Sequence, residues 1–391
     1  MILLPLSVSV MFAQSVSLDE MIQNAKAPKL IEQRLQEERL SQESKALAST
    51  QSAPLSIDHS LSRNNGKGVS GYEHGVGLSK EFILGDIQEL DRKRMGLESE
   101  AYLIEQQKTL IDVNNRLKNL YHQYCLDSDY LSTVQGEYDK FTLLSHKKRR
   151  AFEEGEISKT ELLQIELERS RLQVELDKYG RQNSNEKSVL LSLTTLPTEA
   201  SLSCQDSYPI QETIVSQNEK PSLEQEAYQK RIESTQVGLK RYKQKIESIE
   251  VSMAYTKELE NDIYTIALSI PLNFTSNKSE YEKAAILHQS SALSLRHEEQ
   301  MLQRMQQIGT LEQQLSSRYL TIRAQEQNIE NYKSNLLALM KKSYDYGESS
   351  VIEYLLSQQK LYTLEQELLK EKKDYYNTLF SLYTIHEIKE Q

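Results

Sequence analysis

The sequence contains the same set of landmarks twice, at a shift of about 192 residues. Pro28 in the segment APKL corresponds to Pro221 in KPSL, and each proline opens a helical segment, as suits proline in a first helical turn. Further along, Gly155 in FEEGEISKTELL corresponds to Gly347 in YDYGESSVIEYLL. Such a duplication predicts two copies of one structural unit, and it constrains the fold more than any single motif.

After its first helix, of about 25 residues, each copy changes from helical spacing to strict alternation. The return segment VGLSKEF of the first copy matches IALSIPL of the second. In the second copy one face of the strand is apolar and the other is small or polar, and the apolar face carries Tyr264, Ile266, Leu268, Ile270 and Leu272. Alternation with period two predicts a β-hairpin in each copy, at residues 53-84 and 247-274.

Long helical runs follow the hairpins, at residues 85-150 and 277-345. With 13 glycines and 7 prolines in 391 residues, few positions interrupt helices. At 1.5 Å per residue each run would be about 100 Å long. Such lengths exceed the size of a compact domain and predict extended helices packed along narrow apolar seams.

Both long runs end at a glycine, Gly155 or Gly347, which suits a helix stop. In each copy a serine then precedes a glutamate by three residues, which is the capping-box pattern of a helix start. The final helices are therefore expected at residues 158-195 and 350-388. The predicted organisation is a first repeat at residues 14-195, a polar linker at 196-217 with two prolines, and a second repeat at 218-391.

The N-terminal segment MILLPLSVSVMFA, residues 1-13, has the apolar run of a secretory signal peptide, with an apolar helix end as the alternative. It is too short to span a bilayer, and no later stretch approaches about 18 consecutive apolar residues. Any membrane insertion would therefore have to use strands.

Several function classes are excluded by composition and motifs. A net charge of −10 without a Lys/Arg stripe argues against a nucleic-acid partner. The sequence has no H-E-x-x-H or C-x-x-C motif, and GKG at Gly66 lacks the frame of a P-loop, so we expect neither an enzyme nor a cofactor. Cys125 and Cys204 are the only cysteines, and we expect no disulfide framework.

Together, the duplicated motifs resemble the outer membrane efflux protein family, the TolC-like ducts. The resemblance covers nearly all of the chain after residue 17. It rests on Pro28 and Pro221, the two return strands that contain Leu-Ser, and the Gly-x-x-Ser turns at Gly155 and Gly347. It implies a mainly α fold with a membrane β-barrel part. A long α-helical barrel would join four β-strands per protomer, which contribute to a trimeric twelve-stranded barrel.

The same resemblance implies an exit duct of a tripartite efflux or type I secretion system in the outer membrane of a Gram-negative bacterium, with its helical tunnel in the periplasm. The partners would be two further copies of the chain, outer-membrane lipid, a periplasmic membrane-fusion adaptor and, indirectly, an inner-membrane pump. The tip that docks the adaptor would comprise Gly155, Glu156, Ile157, Ser158, Gly347, Glu348, Ser349 and Ser350.

A gate is implied near the second turn. In the family an acidic residue six positions after the turn glycine narrows the tunnel mouth, and in this sequence that position is Glu353. Asp345 and Tyr346, just before the glycine, are further candidates for gate residues. Leu356 replaces a second acidic position of the family. The alternative is that Glu353 only caps a helix, which is the role we expect for Glu161.

Two patterns have the spacing of metal ligands. His297, Met301 and Met305 share a helix face and suit copper(I), although thioethers at this spacing usually pack in a seam. His122 and Cys125 form a second, two-ligand pair.

The main rival interpretation is a soluble periplasmic coiled-coil scaffold or adaptor, which would share the helical composition but has no need for a strand with one apolar face. A third hypothesis is a hydrolase with a carboxylate pair on adjacent helices.

Overall fold

The computed structural model describes residues 15–49, 51–65, 70–212, 221–244, 246–272 and 277–387. The signal segment expected at residues 1-13 lies outside the described residues. The helices are α1 (Leu18–Gln23), α2 (Lys26–Ser49), α3 (Ile87–Glu153), α4 (Lys159–Ser192), α5 (Leu223–Arg241), α6 (Lys278–Asn331), α7 (Ala338–Asp345) and α8 (Val351–His386). The strands are β1 (Ser15–Val16), β2 (Ser56–Asn65), β3 (Ser70–Ile83), β4 (Ser201–Leu202), β5 (Ser248–Lys257) and β6 (Asp262–Ser269).

The chain divides into two compact units, each assembled from separate segments. One unit takes its described residues from 1–31, 109–219 and 304–391, and the other from 32–108 and 220–303. Each unit therefore draws on both sequence repeats, and α3 and α6 each contribute residues to both units.

The second unit contains a four-stranded antiparallel sheet in the order β2-β3-β5-β6. The two hairpins of the two repeats are thus joined through β3 and β5, where Val76 lies opposite Tyr255. The second hairpin turns over four residues, and the backbone N–H of Glu258 donates to the carbonyl oxygen of Asn261 at 2.9 Å. Duplication therefore yields one sheet and not two isolated hairpins, which would be marginal alone.

The first unit is built around the long helices. α3 contains 67 residues, which corresponds to about 100 Å. Its buried side chains recur at helical spacing and include Leu117, Tyr121 and Tyr124. Three apolar clusters hold the unit together: one lies under the inter-repeat linker, one between α3, α4 and α8, and one between α6 and α8.

None of the helices that the structure describes is both long enough and apolar enough to cross a lipid bilayer.

The linker differs from the polar connection that the sequence suggested. β4 pairs in parallel with β1, and Leu202 and Tyr208 pack against the cluster under the linker. Cys204 forms a disulfide with Cys125 of α3, with the two Cα atoms 5.5 Å apart. The expectation of no disulfide framework was therefore wrong for this pair, because the apolar linker residues bring Cys204 against Cys125, which lies 79 residues earlier in the sequence.

The second long run also differs from the single helix expected at 277-345. A π-helical turn at Tyr332–Leu337 separates α6 from α7, and the Tyr332 hydroxyl donates to the carbonyl oxygen of Ser357 at 3.0 Å. α5 has 19 residues, against the 25 or so expected. It starts after an N-cap serine, Ser222, whose Oγ accepts from the N–H of Gln225.

Candidate functional site

The register of the four-stranded sheet assembles one apolar face from all four strands. Ile57 lies opposite Leu78, Leu78 opposite Met253, and Met253 opposite Ile266. We call this surface the first face. Residues two positions along each strand return to the same face, so the next rows include Val76 and the tyrosine pair of β5 and β6.

The first face is strongly exposed. Ile57 has 71% of its surface accessible, Ile266 has 76% and Tyr264 has 79%. Leu268 on β6 is also exposed, as are Ile270 and Leu272 just beyond the end of that strand. Side chains of this kind stabilise a structure only when they are covered, so the first face requires an apolar partner.

The opposite surface, the second face, is small and polar. One row consists of Asp58, Gly77, Ala254 and Thr265, in that order across the strands. The charged residues of the strands on this face are all acidic, namely Asp58, Glu73, Glu81 and Glu250. A sheet with one apolar and one polar face has the alternation of apolar and polar residues that is typical of strands between lipid and water.

The turn between α3 and α4 is a Schellman motif. Gly155 has a positive φ of 79°, a conformation that disfavours any side chain. The N–H of Glu156 donates to the carbonyl oxygen of Ala151 at 2.8 Å, and the N–H of Gly155 donates to that of Phe152 at 3.0 Å. These bonds satisfy carbonyl groups that the helix end leaves without partners.

The turn between α7 and α8 repeats this geometry. Gly347 has a φ of 76°. The N–H of Glu348 donates to the carbonyl oxygen of Ser343 at 2.8 Å, and the N–H of Gly347 donates to that of Tyr344 at 3.0 Å. The duplicated glycines therefore perform the same local function in both repeats.

Both following helices begin with a serine cap. Ser158 Oγ accepts from the N–H of Glu161 at 3.1 Å, and Ser350 Oγ accepts from the N–H of Glu353 at 3.3 Å. At the second turn Glu353 Oε2 also accepts from the N–H of Ser350 at 2.8 Å, which completes a capping box. The capping role of Glu353 is thus present, and its carboxylate is exposed.

Glu161 does not use its side chain as a cap, so the expectation of a pure cap was wrong. Its Oε1 accepts from Lys148 Nζ at 3.1 Å and from the Tyr344 hydroxyl at 2.7 Å. Burial and the hydrogen bond to Glu161 raise the pKa of Tyr344. Because Glu161 follows the first turn and Tyr344 precedes the second, this contact holds the two turns beside each other.

The remaining gate candidates lie at the surface of the second turn. Tyr346 is 81% exposed, and Asp345 is also exposed. Tyr344, in contrast, is buried and stacks on Tyr354 with the ring centres 5.3 Å apart. Leu356, at the second gate position of the family, is exposed. Tyr344 thus packs between helices, whereas Tyr346 projects into solvent.

The docking candidates occupy the same two turns. Most of them are exposed, and Ile157 and Ser349 are half-buried. A Cβ built on Gly155 or on Gly347 would meet no atom within 4 Å, so the surface around both glycines is open.

The metal-like patterns have other contacts. The His297 ring stacks on Tyr228 with centres 4.0 Å apart, Met301 is half-buried, and Met305 is exposed. His122 and Cys125, which were not predicted to be a metal site, have other partners: Cys125 is in a disulfide and both His122 nitrogens have hydrogen-bond partners. In the described ranges no group of three or more His, Cys, Asp or Glu side chains could hold a metal ion.

The residues that anchor the linker were not predicted from the sequence. His122 Nδ1 lies 2.7 Å from the carbonyl oxygen of Lys118, and its Nε2 accepts from the N–H of Tyr208 at 2.8 Å. The hydroxyls of Tyr121 and Tyr376 donate to the carbonyl oxygens of Ser203 and Tyr208, respectively. The available signal was the presence of two cysteines in a chain expected to be exported, since disulfides persist in oxidising compartments.

Comparison with solved structures identifies the architecture. The chain superposes on CusC, which forms a transmembrane channel, with a TM-score of 0.74. The superposition covers 94% of this chain and 90% of CusC, at 15% sequence identity. For the outer membrane protein VceC from Vibrio cholerae the TM-score is 0.72 over 94% of both chains, at 12% identity. The Campylobacter jejuni outer membrane channel CmeC gives 0.72 over 94% and 85%, at 13% identity.

The chain has the fold of these outer-membrane channels. The TolC-like fold predicted from the duplicated motifs is therefore confirmed. No family model and no curated protein sequence matches the chain, so the channel fold is recognised through structure. The two-faced sheet and the paired glycine turns are the candidate functional elements of this fold.

Proposed function

We propose that the chain is the exit duct of a tripartite efflux or type I secretion system, a passive conduit in the outer membrane of a Gram-negative bacterium. The observation that carries this proposal is the two-faced sheet, with its exposed apolar first face and its small, polar second face. A bilayer accepts such strands only when every backbone group is paired. The channel fold supports the same function.

Assembly as a homotrimer would pair the edges of the sheet. Within the described sheet β2 and β6 are the two edge strands, and their unpaired backbone groups suit strand addition from a neighbouring chain. Four strands from each of three chains would close a twelve-stranded barrel. The first face would then contact lipid, and the second face, with its carboxylates, would line the lumen.

The periplasmic tip would be formed by the two glycine turns. Their exposed surfaces, held beside each other by Glu161 and Tyr344, suit the docking of a periplasmic membrane-fusion adaptor and, through it, an inner-membrane pump. In a trimer three copies of Glu353 around one axis would repel anions and attract cations at the tunnel mouth.

A soluble periplasmic scaffold is the alternative function, and the exposure of the first face argues against it. A scaffold would leave Ile57, Tyr264 and Ile266 in water, each with more than two thirds of its surface accessible. An enzymatic function has no comparable supporting feature, and a passive duct needs no catalytic group.

The test uses two neighbouring positions of β6 that point to opposite faces. Ile266→Lys places a charge on the first face, which costs about 2–4 kcal/mol per chain at the middle of a bilayer. Thr265→Lys places the same charge on the second face and is the matched control. We expect the parent chain and Thr265→Lys to fractionate with the outer membrane as trimers, and Ile266→Lys to be depleted there.

The measurements are outer-membrane fractionation, cross-linking of the trimer and single-channel recording in planar bilayers. Recovery of the parent chain as a soluble periplasmic monomer would reject the duct. Equal membrane recovery of the two lysine variants would reject the assignment of the faces.

A further inference from the structure

Charge is segregated between the two faces of the sheet. On the second face the charged residues are acidic, as described above. On the first face the described strands carry five basic residues, namely His59, Arg63, His74, Lys80 and Lys257, and one acidic residue, Asp262. The basic side chains thus share the face that carries the exposed apolar residues.

Three of these basic residues lie near the hairpin turns. His74 stands opposite both Leu61 and Lys257, and Arg63 stands one row further toward the turn, opposite Tyr72. Arg63, His74 and Lys257 are all exposed. They form a basic patch at the end of the sheet that is farthest from the helices.

The rows of the first face follow the order expected across a membrane surface. The row with Met253 and Ile266 is apolar, and the next row contains Tyr255 and Tyr264, whose ring centres lie 5.1 Å apart. The basic patch begins one row later, about 7 Å further along the strand. Apolar, aromatic and then charged side chains are the sequence of a lipid–water interface.

The aromatic row and the patch are also in contact. Arg63 lies over the Tyr72 ring, with its guanidinium carbon 5.9 Å from the ring centre. The Tyr255 hydroxyl donates to Asp262 at 2.9 Å, so Asp262 holds this hydroxyl at the polar end of the row. His59, in the same row as the tyrosines, and His74, in the patch, have ring centres 6.4 Å apart.

We propose that Arg63, His74 and Lys257 bind the phosphate groups of anionic lipid in the outer leaflet of the membrane. This inference rests on the proposed function, because it requires the first face to contact lipid. A guanidinium and an ammonium suit phosphate oxygens. The tyrosine row beside them and the apolar row beyond it suit the acyl chains of the same molecule, which favours a lipid over a free anion.

The experiment uses the full chain as purified trimers in detergent, titrated with lipopolysaccharide. The readout is the concentration that half-saturates the rise in thermal midpoint. For Arg63→Gln/Lys257→Gln we expect this concentration to increase about thirtyfold, because each Lys or Arg near anionic lipid contributes about 1 kcal/mol. Lys80→Gln is the matched control, since Lys80 lies on the same face but toward the helices, and it should titrate like the parent.

Further arms use the parent chain and so do not depend on how the variants fold. Dephosphorylated lipopolysaccharide, phosphatidylcholine and inorganic phosphate should each fail to reproduce the shift. An equal response to intact and dephosphorylated lipopolysaccharide, or a double variant that titrates like Lys80→Gln, would overturn the inference.

Conductance of the same trimers separates the two proposals. Trimers that conduct ions but respond equally to all lipids would support the exit duct and overturn the lipid-binding site. A chain that neither inserts nor conducts would overturn both proposals.

Discussion

At the scale of single residues, the fold determines the protonation of His122. The Lys118 carbonyl can only accept a hydrogen bond and the Tyr208 N–H can only donate one, so the ring is neutral and carries its proton on Nδ1. Burial is the main cause that lowers the pKa of His122 to about 4. Protonation at Nε2 would remove the acceptor for the linker.

This environment predicts a stability that depends on pH. An unfolded histidine takes up its proton near pH 6.5, whereas folded His122 does so near pH 4. The contribution of His122 is therefore complete above pH 6.5, declines as the pH falls toward 4, and loses at most about 3 kcal/mol. Thermal midpoints between pH 7.5 and 4 measure it, and His122→Gln should lack this component.

A second, half-buried group, Glu186, has the opposite pH dependence, so the comparison with His122→Gln is essential. Burial, followed by a hydrogen bond with Asp127, raises the pKa of Glu186 to about 7. Its contribution is present below pH 4.5 and is lost as the pH rises through 7. The difference between the parent and His122→Gln isolates the histidine. A pH-independent difference between them would contradict its assigned environment.

At the scale of elements, the disulfide joins the inter-repeat linker to α3. Opening it frees a loop that spans 79 residues, and loop-closure entropy then predicts a loss of up to about 4 kcal/mol. We expect Cys125→Ser/Cys204→Ser to melt at a lower temperature than the parent, and a reductant to lower the midpoint of the parent alone. Thiol titration gives the complementary readout, and two reactive thiols in the native parent would show that the bond does not form.

The secondary-structure elements differ in how far local sequence predicted them. The alternating apolar residues of β6 and the helix ends at Gly155 and Gly347 could be predicted from the sequence. Strand period and left-handed backbone conformation are properties of a few adjacent residues. The pairing of β1 with β4 and the disulfide were not readable. They depend on which helix the linker packs against, and that contact spans more than a hundred residues for β1 and β4.

At the scale of the whole molecule, the proposed trimer brings three Glu353 carboxylates to one axis. Glu353→Gln keeps an oxygen that can complete the capping box but removes the charge, whereas Glu353→Ala removes both. We expect both variants to raise single-channel conductance and weaken block by cations. Only Glu353→Ala should lower the thermal midpoint, by the equivalent of about 1 kcal/mol per chain.

Planar-bilayer recording and thermal melting together separate the gate from the cap. Glu161→Gln is the control, because the Glu161 carboxylate is engaged by Lys148 and Tyr344, whereas that of Glu353 is exposed. Unchanged conductance in Glu353→Gln would leave Glu353 with the capping role alone.

The sequence by itself determined the duplicated order of helix, hairpin and long helix, the apolar alternation of β6 and the two glycine turns, because each depends on spacing along a short segment. Only the tertiary structure decided that the hairpins share one sheet, that Glu161 joins the two turns, and that the linker is locked by Cys204 and Tyr208. Those contacts join residues far apart in the chain, and packing, not local propensity, selects the partner. The repeat therefore predicted the helices, strands and turns, and burial of their apolar residues decided which elements pack together.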